Sequence, residues 1–105
     1  MIYLACPYSH DDKRVRIYRF NEVNKVASEL MYLGEMVFSP ISHSHPIAEA
    51  GGLPLDFDYW KTFDEWFIRR CDRIVVLKLP GWRESKGVKR EIEIARNFGK
   101  DIEWM

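Results

Sequence analysis

The tightest constraint on this chain is a set of short runs that have no polar face. Ile2-Tyr3-Leu4-Ala5-Cys6, Met36 to Ser39 and Arg73 to Leu79 consist largely of strand formers, too apolar to meet water on either side. Ile102 to Trp104 makes a fourth. Between them lie stretches of helical periodicity. Asp11 or Asp12 caps the first, which gathers Val15, Val23, Val26, Ala27, Leu30, Met31 and Leu33 on one face and stops at Gly34. Tyr59 to Cys71 is the second, and the third runs from near Gly87 to Asn97 or Phe98, before Gly99.

Strands that cannot face water need cover on both sides, and the alternation with helices supplies it. We therefore expect an α/β fold of three layers, Rossmann- or flavodoxin-like. It should hold a parallel sheet of about four strands, in the order 2-1-3-4, with helices on both faces. Residues 40–58 carry Pro, Gly, Ser and His without periodicity and read as a long loop, which in a small domain points to function. At 105 residues the chain is one domain, 1–105.

The 16 basic and 16 acidic residues balance, so no long-range field draws in a nucleic-acid polymer or an anionic membrane. No run approaches the roughly 18 apolar residues of a membrane span, and the N-terminus lacks the features of a signal peptide, so a cytoplasmic setting is expected. Cys6 and Cys71 have no C-x-x-C spacing and read as buried thiols. His43 and His45 have the spacing of a metal pair without a third ligand, so neither metal nor cofactor is called for.

Two carboxylates break the helical pattern. On the helix 59–71 the apolar arc holds Phe63, Phe67, Trp60, Cys71 and Ile68, and Asp64 falls inside it. On the last helix the arc runs through Ile94, Phe98, Ala95, Val88 and Ile92, with Glu91 between Phe98 and Ala95. An unpaired carboxylate costs several kcal/mol to bury, so each must have a partner or line a cleft. Arg69 or Arg19 would be the partner for Asp64, while the helix dipole would suit Glu91, placed in the first turn. The cleft reading gains from position, because open parallel sheets bind ligands beyond the carboxyl ends of their strands. There Pro80 to Val88 supplies a turn, the Ser85 hydroxyl and Gly87, leading into a helix N-terminus that can cradle a phosphate. Pro7, Tyr8 and His10, after the first strand, are candidates for substrate contact. Arg16 and Arg19 stand near the start of the first helix, where they could hold a phosphate. Trp60, Trp66 and Trp82 could each stack on a base; Trp60 reads rather as core, Trp66 equally as partly buried or at a subunit interface, and Trp82 as a ring on the phosphate loop.

These residues resemble the nucleoside 2-deoxyribosyltransferase-like superfamily, which includes deoxynucleoside 5′-monophosphate N-glycosidases. More closely they resemble its DUF1937-type branch. The likeness rests on Ile2-Tyr3-Leu4-Ala5, on Asp64-x-Trp66 ahead of Asp72, and on Ser85-x-Gly87-Val88-x-x-Glu91 followed by Ala95. It implies that Glu91 is the nucleophile, Asp64 the second acid and Tyr3 a tyrosine near the sugar, with Ser85 and Gly87 at the 5′ end of the substrate. The transferases commonly carry aspartate in place of Ser85, which would repel a phosphate; serine beside free N–H groups accepts one.

The expected activity is hydrolysis of the N-glycosidic bond of a nucleoside or deoxynucleoside 5′-monophosphate, with the two carboxyls about 5–5.5 Å apart, as in retaining glycosidases. Deoxyribosyl transfer between bases uses the same residues, and a non-catalytic nucleotide-binding module is the reading from another class. The partner is a small nucleotide or nucleoside. Small size and exposed aromatics point to a homo-oligomer, a dimer or larger.

Overall fold

A computed structural model describes residues 1–105. Four strands, β1 (Ile2–Ala5), β2 (Val37–Phe38), β3 (Arg73–Val76) and β4 (Asp101–Trp104), form one sheet. All pairings are parallel and the order is β2-β1-β3-β4. Register follows from Ile2, which pairs with Val37 on one side and Arg73 on the other. Four helices flank the sheet: α1 (Lys13–Tyr32), α2 (Pro40–Gly51), α3 (Phe57–Arg70) and α4 (Lys86–Asn97). The three-layer α/β architecture is the one expected.

The period-two alternation of the strands divides the core. Ile2, Leu4, Val75 and Leu77 meet Val23 and Ala27 of α1 and Ile41 of α2. Tyr3, Ala5, Ile74 and Val76 point the other way, onto Ile68 of α3 and Val88, Ile92 and Ala95 of α4. The chain turns to one side after β1 and to the other after β2. The strand order therefore reverses between β1 and β3, and a crevice opens at their carboxyl ends.

The structure corrects the sequence reading of several elements: the edge strand β4, read as too apolar for water, is largely exposed because Asp101, Glu103 and Trp104 face outward. Residues 40–51 are helical. Ser39 caps α2 by accepting from the Ser42 N–H at 3.2 Å, Pro40 occupies the first turn, and Gly52 ends the helix with φ 64°. Ile41, Ser44 and Ala48 form its buried edge, a stripe hidden in the sequence by a serine at its centre and by Pro46. The far end of α1 is open: Met31 and Leu33, assigned to its apolar face, are exposed. No helix is long and apolar enough to cross a membrane.

Candidate active site

Tyr3 is fully buried on the α3/α4 face of β1, and its hydroxyl donates to Glu91 Oε2 at 2.5 Å. Glu91 occupies the buried stripe of α4 with Val88, Ile92 and Ala95, an i, i+3, i+4, i+7 pattern in which the second position is an acid. Because α4 begins at Lys86, Glu91 lies in its second turn, deeper than the helix dipole acts. Asp64 enters from α3, one turn before the buried Ile68. The two acids are only 6% and 8% exposed, and both open onto one cavity of about 780 Å³.

No cation lies within ion-pair distance of either acid. The arginines considered as partners are engaged elsewhere. Arg69 lies over the Phe98 ring, 5.0 Å from its centroid. Arg19 is buried, with its guanidinium on three carbonyls: Tyr8 O at 3.4 Å, Ser9 O at 3.0 Å and Pro80 O at 2.9 Å. It ties the loop after β1 to the loop after β3 and has no free fork for a phosphate, so its expected substrate role gives way to a structural one. Gly81 makes room for it. Its φ of 90° disfavours any side chain, and a Cβ there would come within 2.5 Å of Arg19 Nη2.

Burial without a counter-charge sets the ionisation of the pair. It alone pushes Asp64 from 3.8 up to about 7. Glu91 rises from 4.5 to about 8, chiefly through burial; Tyr3 opposes the rise by donating to the carboxylate, and the Asp64 charge adds to it. Both acids therefore hold their protons far above the usual carboxylate range, and near neutral pH the pair is neither fully ionised nor fully protonated. Glu91 stays the more basic of the two even with the Tyr3 bond, so the form with Asp64 protonated and Glu91 ionised is the minor one-proton arrangement, and the bond that Tyr3 donates to Glu91 alone is what raises its share.

At one point of the rim, the start of α4, donors are free for an anion. Ser85 caps α4, its Oγ accepting from the Val88 N–H at 3.2 Å, so the N–H groups of Lys86 and Gly87 at the helix start have no partner within the helix. The first turn of α4 carries no acid, and Lys86 adds a cation to the wall. A Cβ on Gly87 would sit 4.0 Å from Glu91 Oε1, so the missing side chain leaves open the space directly above the buried acid.

Of the residues singled out by the sequence, Glu91, Asp64, Tyr8, His10, Ser85 and Gly87 line this cavity together. Tyr3 supports it from below. Pro7 and Val88 are buried behind the wall, Val88 through its side chain, while its N–H serves the Ser85 cap. Arg16 reaches the wall with its guanidinium on the carbonyls of His10 and Asp11. The two histidines of the metal-like pair diverge: His43 stacks against Phe63, whereas His45 faces the cavity. Among the tryptophans, Trp60 is on the cavity wall rather than in the core, Trp82 packs on Trp104 away from it, and Trp66 is half exposed under Arg70.

Sequence reasoning gave Lys86 no role of its own within the phosphate segment, saw His45 only as half of a metal-like pair, and missed the wall that α2 builds from Ser44, His45 and Glu49. The signal was present, since His45 and Glu49 stand four apart, on one face once residues 40–51 are helical.

Compared with known families, residues 1–105 match the one described as Domain of unknown function (DUF1937), and the chain belongs to that family. No curated protein matches it.

Proposed function

For this DUF1937 member we propose hydrolysis of the N-glycosidic bond of a nucleoside or deoxynucleoside 5′-monophosphate, with kinship to the nucleoside 2-deoxyribosyltransferase-like enzymes. The observation that carries the reading is the pair Asp64 and Glu91, buried, free of any counter-cation and facing one cavity at the switch point of the sheet. Structural ion pairs would be neutralised by partners; acids left unpaired at a cost in stability are those an enzyme uses.

The phosphate takes the N-terminus of α4, where Ser85, Gly87 and Lys86 meet it. That end fixes the sugar over Glu91. The Glu91 carboxylate attacks the anomeric carbon through an oxocarbenium-like transition state. The electrons of the breaking carbon–nitrogen bond pass to the base, and Asp64 gives that base its proton. Asp64, now ionised, then takes a proton from water, whose oxygen attacks the same carbon and releases Glu91 and the sugar phosphate. Tyr3 keeps its proton throughout, because burial and both acids push its hydroxyl well above the usual phenol range. Its hydrogen bond orients the nucleophile.

Incubation with a panel of ribo- and deoxynucleoside 5′-monophosphates, with free base detected by chromatography, tests the proposal. We expect one or a few members to lose their base with wild-type protein and none to do so with Glu91→Gln. Normal release by that variant removes Glu91 as nucleophile. Base exchange in the presence of a second free base would instead identify a transferase.

A further inference from the structure

The acids enter the cavity from α3 and α4, on one face of the sheet, and the opposing wall has no part in the steps above. Tyr8, from the loop after β1, stands there with His45 and Glu49, one turn apart on α2. The Tyr8 hydroxyl contacts His45 Nε2, and the same nitrogen lies 3.0 Å from Glu49 Oε1. The two rings pack with centroids 4.1 Å apart, and the His45 side chain is only 13% exposed. The ring is thus held between a phenol and a carboxylate.

We assign the ring hydrogen to Nε2, which lies 3.0 Å from a carboxylate that can only accept. A nitrogen that carries hydrogen cannot accept from the phenol, so it donates to the Tyr8 oxygen. The Arg16 guanidinium beside the Tyr8 hydroxyl also has donors only. With donors on these sides, the Tyr8 proton is left for a guest in the cavity.

We infer that Tyr8, positioned by His45 and Glu49, is the hydrogen-bond donor that recognises the departing base and draws charge onto it. This rests on the nucleotide-cleavage reading. The ligand group it fits is a flat heteroaromatic ring with a nitrogen or carbonyl acceptor on its edge, and Trp60 and Phe57 offer aromatic surface in the same cavity. Tyr8 transfers no proton. Burial and the Glu49 charge push its hydroxyl up, so it remains a neutral donor while Asp64 supplies the proton that the base takes. His45 and Glu49 act through Tyr8.

The test compares leaving groups of graded need. Base release is measured for wild type, Tyr8→Phe and His45→Phe on 2′-deoxyguanosine 5′-monophosphate and its N7-methyl derivative, whose base departs neutral. The same is done on 2′-deoxyuridine 5′-monophosphate and its 5-fluoro derivative, whose base is the better leaving group. For whichever pair wild type cleaves, Tyr8→Phe should lower kcat about 30-fold on the poorer leaving group and about threefold on the better one. His45→Phe should show the same selectivity with a smaller loss. Equal losses on both members, or none, overturn the assignment of Tyr8 while leaving the cleavage reading intact. A wild type that releases base from no nucleotide, in this series or in the wider panel, overturns the cleavage reading and this inference with it.

Discussion

Replacing Glu91 by Gln should strengthen the fold, by a margin that grows as pH rises from about 5 to about 8. Wild-type Glu91 moves from 4.5 in an open chain to about 8 in the folded protein, and Asp64 from 3.8 to about 7. The sign follows from proton counts: between about pH 4 and pH 8 the native state holds protons that the unfolded state has lost. Stability therefore falls as pH rises through this window. It is flat below, where both states are protonated, and the full penalty is present above. At 1.36 kcal/mol per pH unit, forcing Glu91 to ionise in place costs on the order of 5 kcal/mol, a large part of the 5–15 kcal/mol typical of a domain. Gln keeps the shape of the protonated acid, and its carbonyl can still accept from Tyr3, so at pH 5 the change should stay within about 1 kcal/mol. Urea melts of both proteins at pH 5 and pH 9 read the difference. Wild type should be the weaker by several kcal/mol at pH 9 and nearly equal at pH 5, with unchanged urea dependence. Equal stability of the two proteins at pH 9 would show that Glu91 is not a desolvated acid and would refute the reasoning.

Three shorter expectations accompany this one. Tyr3→Phe removes the only hydrogen bond that favours ionised Glu91, so base release should drop about 10- to 100-fold and its acid limb should move to higher pH; an unshifted pH–rate profile would argue against orientation by Tyr3. Because catalysis needs one proton on the pair, kcat/KM should peak between the values of about 7 and about 8 and fall about tenfold per pH unit on either side; a rate still rising at pH 10 would exclude it. Gly87→Ala should raise KM for a nucleotide about tenfold or more, by filling the space above Glu91, while thermal melting shows a fold as stable or slightly more so, since alanine favours the helix. An unchanged KM would move the phosphate elsewhere.

The sheet was readable because its two central strands, β1 and β3, are buried on both faces: residues such as Ile74, Val75 and Val76 leave no choice but helices above and below. Asp64 and Glu91 were readable for a related reason, since a regular apolar stripe makes a single charge stand out. α2 was hidden because its buried edge uses Ser44 between Ile41 and Ala48, and Pro46 interrupts the pattern. Losing that helix also lost His45 and Glu49, whose meeting with Tyr8 depends on helical spacing and on contact across 37 residues. Arg19 illustrates the opposite error. A cation near a phosphate loop reads as a ligand for phosphate, but its hydrogen bonds go to backbone carbonyls that only the folded chain brings together.

The most direct test of the account is the structure of Glu91→Gln bound to the nucleotide 5′-monophosphate that wild type cleaves fastest. The account predicts phosphate on the Gly87 N–H and the Ser85 hydroxyl, the anomeric carbon within about 3.5 Å of the residue 91 carboxamide, and Asp64 beside the glycosidic nitrogen. A nucleotide bound with its sugar remote from residues 64 and 91 would contradict it.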